Sequence, residues 1–235
     1  RAVSAPRRPS PHLGAGVLAA GALCALLTAS CAGKPPEILR LLWRVTLVED
    51  RDLGSRYTSV SLFVRPNDPD GIDDLAELYL ISDQEELFWK LEADSWQKSG
   101  SGEPWIGSNA LGLPDGSPLP PGEYRVLLRD LGGESVEQTV RLPAVSLEEL
   151  SRLLPKVEVA SGQIQVRGRA PTHQLWLYDA SGAYQGIRHL QGAKLAVEEL
   201  LAAWPQLARG FRFQVYASSG REGLGAVSGP YFWEP

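Results

Sequence analysis

Acidic residues cluster in one short segment of the chain, and carboxylate oxygens are the ligands that calcium prefers in proteins. The four aspartates are Asp68, Asp70, Asp73 and Asp74. On an EF-hand alignment Pro66 takes the first ligand position, where its side chain offers no oxygen, and the flanks alternate as strands do. We therefore predict no metal site, with an inter-strand calcium site formed by these aspartates as the alternative. Turn formation explains the same residue types.

Residues suited to catalysis are few. The chain has two Cys and three His, too few for a Cys-rich zinc module. His173 and His189 have no Cys near them in sequence, and no nucleophile-elbow or phosphate-loop motif occurs. Adjacent acids such as Glu85–Glu86 and Glu198–Glu199 are typical of solvated faces. We predict that the protein is not an enzyme and binds no cofactor other than the covalent lipid discussed below.

Tryptophan is abundant, with seven residues against five Phe. Trp176 stands between Leu175 and Leu177, so on a strand it points away from their face. Trp89, Trp96 and Trp105 bracket the segment 96–121, which we interpret as a long loop. Exposed aromatic side chains can stack on sugars or anchor a protein partner, and the alternative is that they fill cores. The candidate binding residues are Trp89, Trp96, Trp105 and Trp176.

The first 31 residues have the pattern of an export signal. Arg1, Arg7 and Arg8 precede the uncharged segment Leu13–Leu27, which is short for a membrane span. The segment that ends at Cys31 resembles a relaxed bacterial lipobox of the spirochaetal kind. This resemblance implies cleavage after residue 30, acylation of Cys31 by lipid such as palmitate, and a bacterial cell envelope location with the membrane as partner. The alternatives are an ordinary signal peptide with a chance Cys, or an uncleaved anchor.

Composition favours a folded protein that does not bind nucleic acid. The 235 residues are 43% hydrophobic and 22% charged, with a formal net charge of −5. Residues 31–142 hold 11 Lys and Arg against 20 Asp and Glu, a net charge of −9, whereas residues 143–235 hold 9 against 8. The strongly acidic character therefore belongs to the first half.

Hydrophobic alternation predicts short strands separated by turns about every ten residues, which favours an all-β fold. Ser146 and Glu149 have capping-box spacing before a helical pattern that ends at Pro155, and a second short helix is predicted over 194–204. The two halves repeat weakly. The predicted organisation is a signal peptide at 1–30, a lipidated tether at 31–37, domain 1 at 38–143, a linker helix at 144–155 and domain 2 at 156–235.

Several motifs resemble bacterial immunoglobulin-like (Ig-like) domains of the flagellar hook-capping and secretion-associated type. They are Trp105-Ile-Gly107, Leu119-Pro-Pro-Gly-Glu-Tyr124, Tyr178-Asp-Ala-Ser-Gly182 and the aspartate segment 68–75. The resemblance implies two tandem Ig-like β-sandwiches. Tyr124 is then expected to bury its ring while its hydroxyl finds a backbone partner. Such folds host many unrelated roles, so the fold alone does not assign a function.

These observations predict a lipid-anchored protein of the cell envelope that acts as a non-catalytic binding or scaffolding module. The alternatives are a lipoprotein that binds carbohydrate or peptidoglycan, and an accessory subunit of an envelope machine. The expected partner is a protein or a glycan.

Overall fold

The computed structural model of the protein describes residues 33–99 and 104–235. The predicted signal peptide and the lipidated Cys31 lie outside these ranges. Strands make up 57% of the structure and helices 10%, which confirms the all-β prediction.

The first half of the chain supplies eight of the described strands. These are β1 (Glu37–Asp50), β2 (Ser55–Asn67), β3 (Leu75–Ser82), β4 (Leu87–Glu92), β5 (Gln97–Ser99), β6 (Trp105–Leu111), β7 (Gly122–Asp130) and β8 (Ser135–Leu142). A 3-10 turn, Ile72–Asp74, precedes β3, and helix α1 (Leu147–Ser151) follows β8.

The second half supplies the remaining described strands and one further helix. The strands are β9 (Lys156–Ala160), β10 (Gln163–Arg167), β11 (Thr172–Asp179), β12 (Tyr184–His189), β13 (Lys194–Ala196), β14 (Phe211–Ser218) and β15 (Leu224–Trp233). Helix α2 (Val197–Ala203) and a 3-10 turn, Pro205–Arg209, lie between β13 and β14.

One sheet runs through both halves of the molecule. Its eight strands have the order β12-β11-β14-β15-β1-β2-β6-β5. The halves meet where β15 pairs in parallel with β1, from Val45 opposite Leu224 to Asp50 opposite Gly229. A four-stranded sheet, β4-β3-β7-β8, covers the first half of this sheet, and a three-stranded sheet, β13-β10-β9, covers the second. The result is two sandwiches that share one continuous sheet.

The first core fills the space under the four-stranded sheet. Leu47, Leu62 and Val126 are buried there, together with Leu224 from the last strand of the chain. The ring of Tyr124 is 1% exposed, and its hydroxyl donates to the carbonyl of Pro120 at 2.8 Å, as the sequence predicts. Because Leu224 and Ala226 belong to this core, β15 stabilises the first sandwich as well as the second.

The second core is centred on β11 and β14. Leu175, Leu177 and Phe213 are fully buried, and helix α2 adds Leu200. Tyr231, near the end of β15, packs on Phe213 with their ring centroids 5.4 Å apart. Strand β15 therefore passes from one core to the other, and the irregular pairing near Gly229 lies between them.

Three local predictions need correction or refinement. The segment 96–121 is not one long loop, because it contains β5 and β6, and β6 pairs with β2. Gly107 permits this pairing, since a Cβ at this position would lie 1.9 Å from the Leu62 carbonyl oxygen. The predicted helix at 194–204 begins only at Val197, after the short strand β13. The predicted N-cap is confirmed, because the Ser146 hydroxyl accepts a hydrogen bond from the Glu149 amide at 3.1 Å. Helix α1 is shorter than predicted, since it ends at Ser151.

Within the described ranges, no helix is both long and apolar enough to cross a membrane.

Candidate functional site

A groove of about 690 Å³ lies on the outer face of the eight-stranded sheet, opposite the two cores. Its walls come from both sandwiches, with β1, β2, β5 and β6 on one side and β11 and β12 on the other. The apolar residues that line it are Leu42, Trp43, Phe63, Trp176, Tyr178, Tyr184 and Ile187. The shared sheet therefore creates a surface that neither sandwich has alone.

Two stacked aromatic rings lie at the edge of this groove. The rings of Trp176 and Tyr216 are nearly parallel, with an angle of 9° and centroids 5.5 Å apart. The guanidinium carbon of Arg44 lies 4.6 Å from the centroid of the Tyr216 ring. Gly225 makes room for this ring, because a Cβ there would lie 2.4 Å from one of its carbons. The sequence thus places an aromatic pair and a cation on an outward-facing sheet surface.

Several apolar side chains in the groove face solvent. Leu42 is 59% exposed, Tyr184 58% and Ile187 43%. The Tyr184 ring meets the Tyr178 ring edge-on, with centroids 5.7 Å apart. Exposed aliphatic and aromatic side chains gathered on one concave surface are typical of an interaction site.

The groove is positively charged on a negatively charged chain. Arg44 and Lys98 contribute to its lining, and the described lining residues include no Asp or Glu. Two amide side chains lie at the wall, where Asn109 Nδ2 donates to Gln97 Oε1 at 2.9 Å. The groove therefore favours a ligand with negative charge and apolar groups.

The four candidate tryptophans do not form one surface. Trp176 lines the groove and points away from Leu175 and Leu177, as predicted. Trp96 is only 7% exposed and belongs to the first core. Trp89 packs against that core and donates its indole N–H to the Gly112 carbonyl at 3.0 Å. Trp105 is half-buried on β6 and is not part of the groove lining.

Sequence reasoning missed most of the groove. Leu42 and Arg44 are exposed residues in the middle of the long strand β1, next to the core residue Val45. Ile187 lies on β12, which is distant from β1 in sequence. The alternation in β1 predicts which residues face outward. It does not predict that β15 brings β11 and β12 to the same face.

The outer face of the four-stranded sheet has a different chemistry. Lys90 pairs with Glu77 at 2.7 Å, and Arg125 bridges Asp83 at 2.6 Å and Glu137 at 2.8 Å. Hydrogen bonds from Lys90 and Tyr79 lower the pKa of Glu77. Ion pairs between neighbouring strands leave this face of the sheet charged and hydrated.

The aspartate segment forms a second candidate site, between β2 and β3. Carboxylate oxygens of Asp68, Asp70 and Asp74 lie within 4.8 Å of one another. Asp73, the fourth candidate, is exposed and lies outside this group. Desolvation and the carboxylates of Asp130, Asp68 and Asp70 raise the pKa of Asp74. Asp130, which sequence spacing could not connect to this segment, is therefore a near neighbour.

His173 lies apart from both sites, near a cavity of about 390 Å³ between β10 and β11. Burial lowers its pKa. The described residues that line this cavity include no Ser, Cys, Asp or Glu.

Comparison with known proteins gives no family for this chain. No family model and no curated protein matches it. Among solved structures it is similar to dimeric latent PorU from Porphyromonas gingivalis, at 11% identity and a TM-score of 0.33, covering 85% of this chain and 20% of that one. It is also similar to the BSP domain of a biofilm associated protein, at 13% identity and a TM-score of 0.26, covering 82% and 30%. The chain thus spans less than a third of either structure's length, and likeness at this level assigns neither family nor function.

Proposed function

We propose that this protein is a non-catalytic binding module of a bacterial cell envelope, and that the groove across its shared sheet is the binding surface. The observation that carries this proposal is that Trp176 and Arg44, both packed on the buried ring of Tyr216, line one concave face together with exposed apolar side chains. Trp, Tyr and Arg are the residue types that most often dominate binding energy at protein interfaces.

The proposed partner is a protein segment that carries both acidic and apolar side chains. Arg44 and Lys98 supply positive charge to the groove, which attracts carboxylates. Leu42 and Ile187 are exposed aliphatic residues, and these suit apolar side chains better than sugar hydroxyls. A partner of this composition would satisfy both parts of the groove at once.

The carbohydrate alternative has one specific observation in its favour. The Gln97–Asn109 amide pair stands next to aromatic rings, and this combination also suits sugar rings and their hydroxyl groups. We rank it second because the exposed aliphatic side chains would remain uncovered by a sugar.

A selection experiment separates these possibilities. A random peptide library is selected on the full chain, and a glycan array that includes peptidoglycan fragments is probed in parallel. We expect enriched peptides that combine Asp or Glu with aliphatic or aromatic residues, and at least about tenfold weaker binding by Trp176→Ala, because hot-spot truncation costs about 2 kcal/mol or more.

Phe88→Ala is the matched control, because Phe88 is 68% exposed on the opposite sheet face. Its binding should equal that of the unchanged protein. Selected peptides whose affinity is unaffected by Trp176→Ala would contradict the proposal. Glycan binding that depends on Trp176, without peptide binding, would replace it with the carbohydrate alternative.

We further propose that Cys31 carries the lipid that anchors the protein to its membrane, as the lipobox resemblance implies. The chain is expressed with residues 1–235, and its membrane fraction is compared with that of Cys31→Ala. The unchanged protein should sediment with membranes and label with palmitate, and the variant should do neither. A Cys31→Ala form that still sediments fully with membranes would refute the anchor.

A further inference from the structure

The aspartate segment is met by a buried carboxylate from another strand. Asp130 ends β7, and its neighbour in the sheet is Leu75, the residue that follows Asp74. The Leu131 amide donates to the Asp74 carbonyl at 2.8 Å, which fixes the end of β7 against the aspartate segment. Asp68, Asp70, Asp74 and Asp130 are named the aspartate site below.

Two oxygens of this site are buried without a hydrogen-bond partner. Asp68 is 8% exposed and Asp130 2% exposed. One oxygen of each side chain accepts a backbone amide hydrogen, from Asp70 at 2.9 Å and from Glu134 at 2.8 Å. The second oxygen, Oδ2 in both cases, has no partner among the described residues. A buried carboxylate oxygen without a partner is costly unless a cation or a proton compensates it.

The start of the described chain closes the site. A Cβ built on Gly33 would lie 3.3 Å from Asp70 Oδ2 and 3.9 Å from Asp130 Oδ2, so both oxygens face the same position. The Lys34 amide donates to Asp70 Oδ2 at 2.8 Å. Within the described residues, no Lys or Arg side chain forms an ion pair with any of the four aspartates. Among the described residues, therefore, no basic side chain compensates their negative charge by an ion pair.

We propose that the aspartate site binds one Ca²⁺ ion. Calcium takes oxygen ligands at about 2.3–2.6 Å, so two ligands of one ion lie at most about 4.6–5.2 Å apart. The oxygens of Asp68, Asp70 and Asp74 satisfy this limit, because they all lie within 4.8 Å of one another. Calcium also tolerates irregular carboxylate shells, completed by carbonyl groups and water, better than Mg²⁺ does. The proposed carboxylate ligands are Asp68, Asp70 and Asp74, and Asp130 adds a buried negative charge beside them.

Bound calcium would join three parts of the chain. The β2–β3 connection supplies three carboxylates, the end of β7 places the buried Asp130 beside them, and the Lys34 amide is hydrogen-bonded to Asp70. Residues 33–37, the described part of the predicted tether, would then be held against the first sandwich. Pro36 is already buried in the structure.

Isothermal titration of the full chain with CaCl2, after treatment with EDTA, tests this proposal. We expect one saturable site, binding by Mg²⁺ at least about tenfold weaker, and a thermal unfolding midpoint that rises with CaCl2 and falls again with EDTA. Absence of Ca²⁺ binding up to about 10 mM, above the range of extracellular calcium modules, would overturn it.

Matched variants locate the site. Asp130→Asn and the exposed Asp70→Asn keep side-chain shape while removing charge, so each should weaken Ca²⁺ binding by about tenfold or more. Asp73→Asn removes the same charge from an exposed neighbour outside the cluster and should bind as the unchanged protein does. If Asp130→Asn does not fold, Asp70→Asn decides alone. Binding that is unchanged in Asp70→Asn, or equally weakened in Asp73→Asn, would overturn the site.

Discussion

The two exposed sheet faces of this protein are built from the same alternating strand pattern but carry opposite chemistry. On the four-stranded sheet, ion pairs such as Lys90–Glu77 and Arg125–Asp83 cover the outer surface. On the eight-stranded sheet, the outer surface carries the exposed Leu42 and Trp176, which stacks on the buried ring of Tyr216. Alternation requires only that one face be buried, and leaves the chemistry of the other face free to vary.

This difference indicates which face is suited to binding. A sheet face of crossed ion pairs is well hydrated, and covering it would cost the hydration of every charge. The groove presents apolar side chains with two cationic residues, Arg44 and Lys98, that an acidic partner can pair, and it lies where both sandwiches contribute side chains. The following variants test the contrast between the faces, from the largest expected effect to the smallest.

Two leucines on β1 test the buried and the exposed face of one strand. Leu47 is 1% exposed and Leu42 59% exposed. Leu47→Ala should lower the free energy of unfolding by about 2–5 kcal/mol, because it leaves a cavity in the first core. Leu42→Ala should change it by less than about 0.5 kcal/mol. Urea denaturation of both variants measures this difference, and equal losses would show that the outer face is also part of the core.

Gly225 tests the aromatic stack. A Val side chain there would collide with the Tyr216 ring, so Gly225→Val should cost about 1–3 kcal/mol of unfolding free energy and alter the near-ultraviolet circular dichroism of the stack. In the double variant with Tyr216→Ala the clash is removed, and the two effects should be less than additive. Strict additivity would mean that the ring does not lie over Gly225.

Glu77 tests the ion-paired face, where we expect the smallest effect. Lys90 and Tyr79 lower the pKa of Glu77 below its ordinary value of 4.5. A lowered pKa in the folded state stabilises the protein above pH 4.5, and this contribution is lost as the pH falls through the lowered value. The stability difference between the unchanged protein and Glu77→Gln, followed by thermal unfolding, should therefore shrink on acidification.

Glu123→Gln is the matched control for this titration. Glu123 is exposed on β7 of the same sheet and forms no ion pair among the described residues. Its substitution accounts for the general effect of removing one negative charge. A Glu77→Gln difference that grows below pH 4.5 would contradict the assigned direction.

Local sequence patterns predict much of this fold. Alternation correctly orients Trp176 away from Leu175, and the Pro-Gly-x-Tyr motif correctly predicts that Tyr124 is buried with a bonded hydroxyl. These features depend on residues near one another in sequence, where backbone geometry fixes the direction of each side chain.

Contacts between distant segments could not be predicted in this way. The pairing of Val45 with Leu224 and the approach of Asp130 to Asp74 join residues that no spacing rule connects. Strand β6 is not evident in the sequence because Gly107, Ser108 and Asn109 are weak strand formers. Gly107 and Ser108 pair with Phe63 and Leu62, which are distant in sequence. Both candidate sites depend on such pairings, so the sequence predicts some of their residues but not their assembly.

The central claim is that the groove, and not the ion-paired face, binds the partner. The most direct measurement is a titration of the ¹⁵N-labelled chain with a selected acidic peptide, observed through the indole N–H signals by nuclear magnetic resonance. Trp176 lines the groove, whereas the Trp89 indole is hydrogen-bonded to Gly112 away from it. We predict that the Trp176 signal shifts with peptide concentration while the Trp89 signal stays in place. A shift of the Trp89 signal with an unmoved Trp176 signal would contradict the claim.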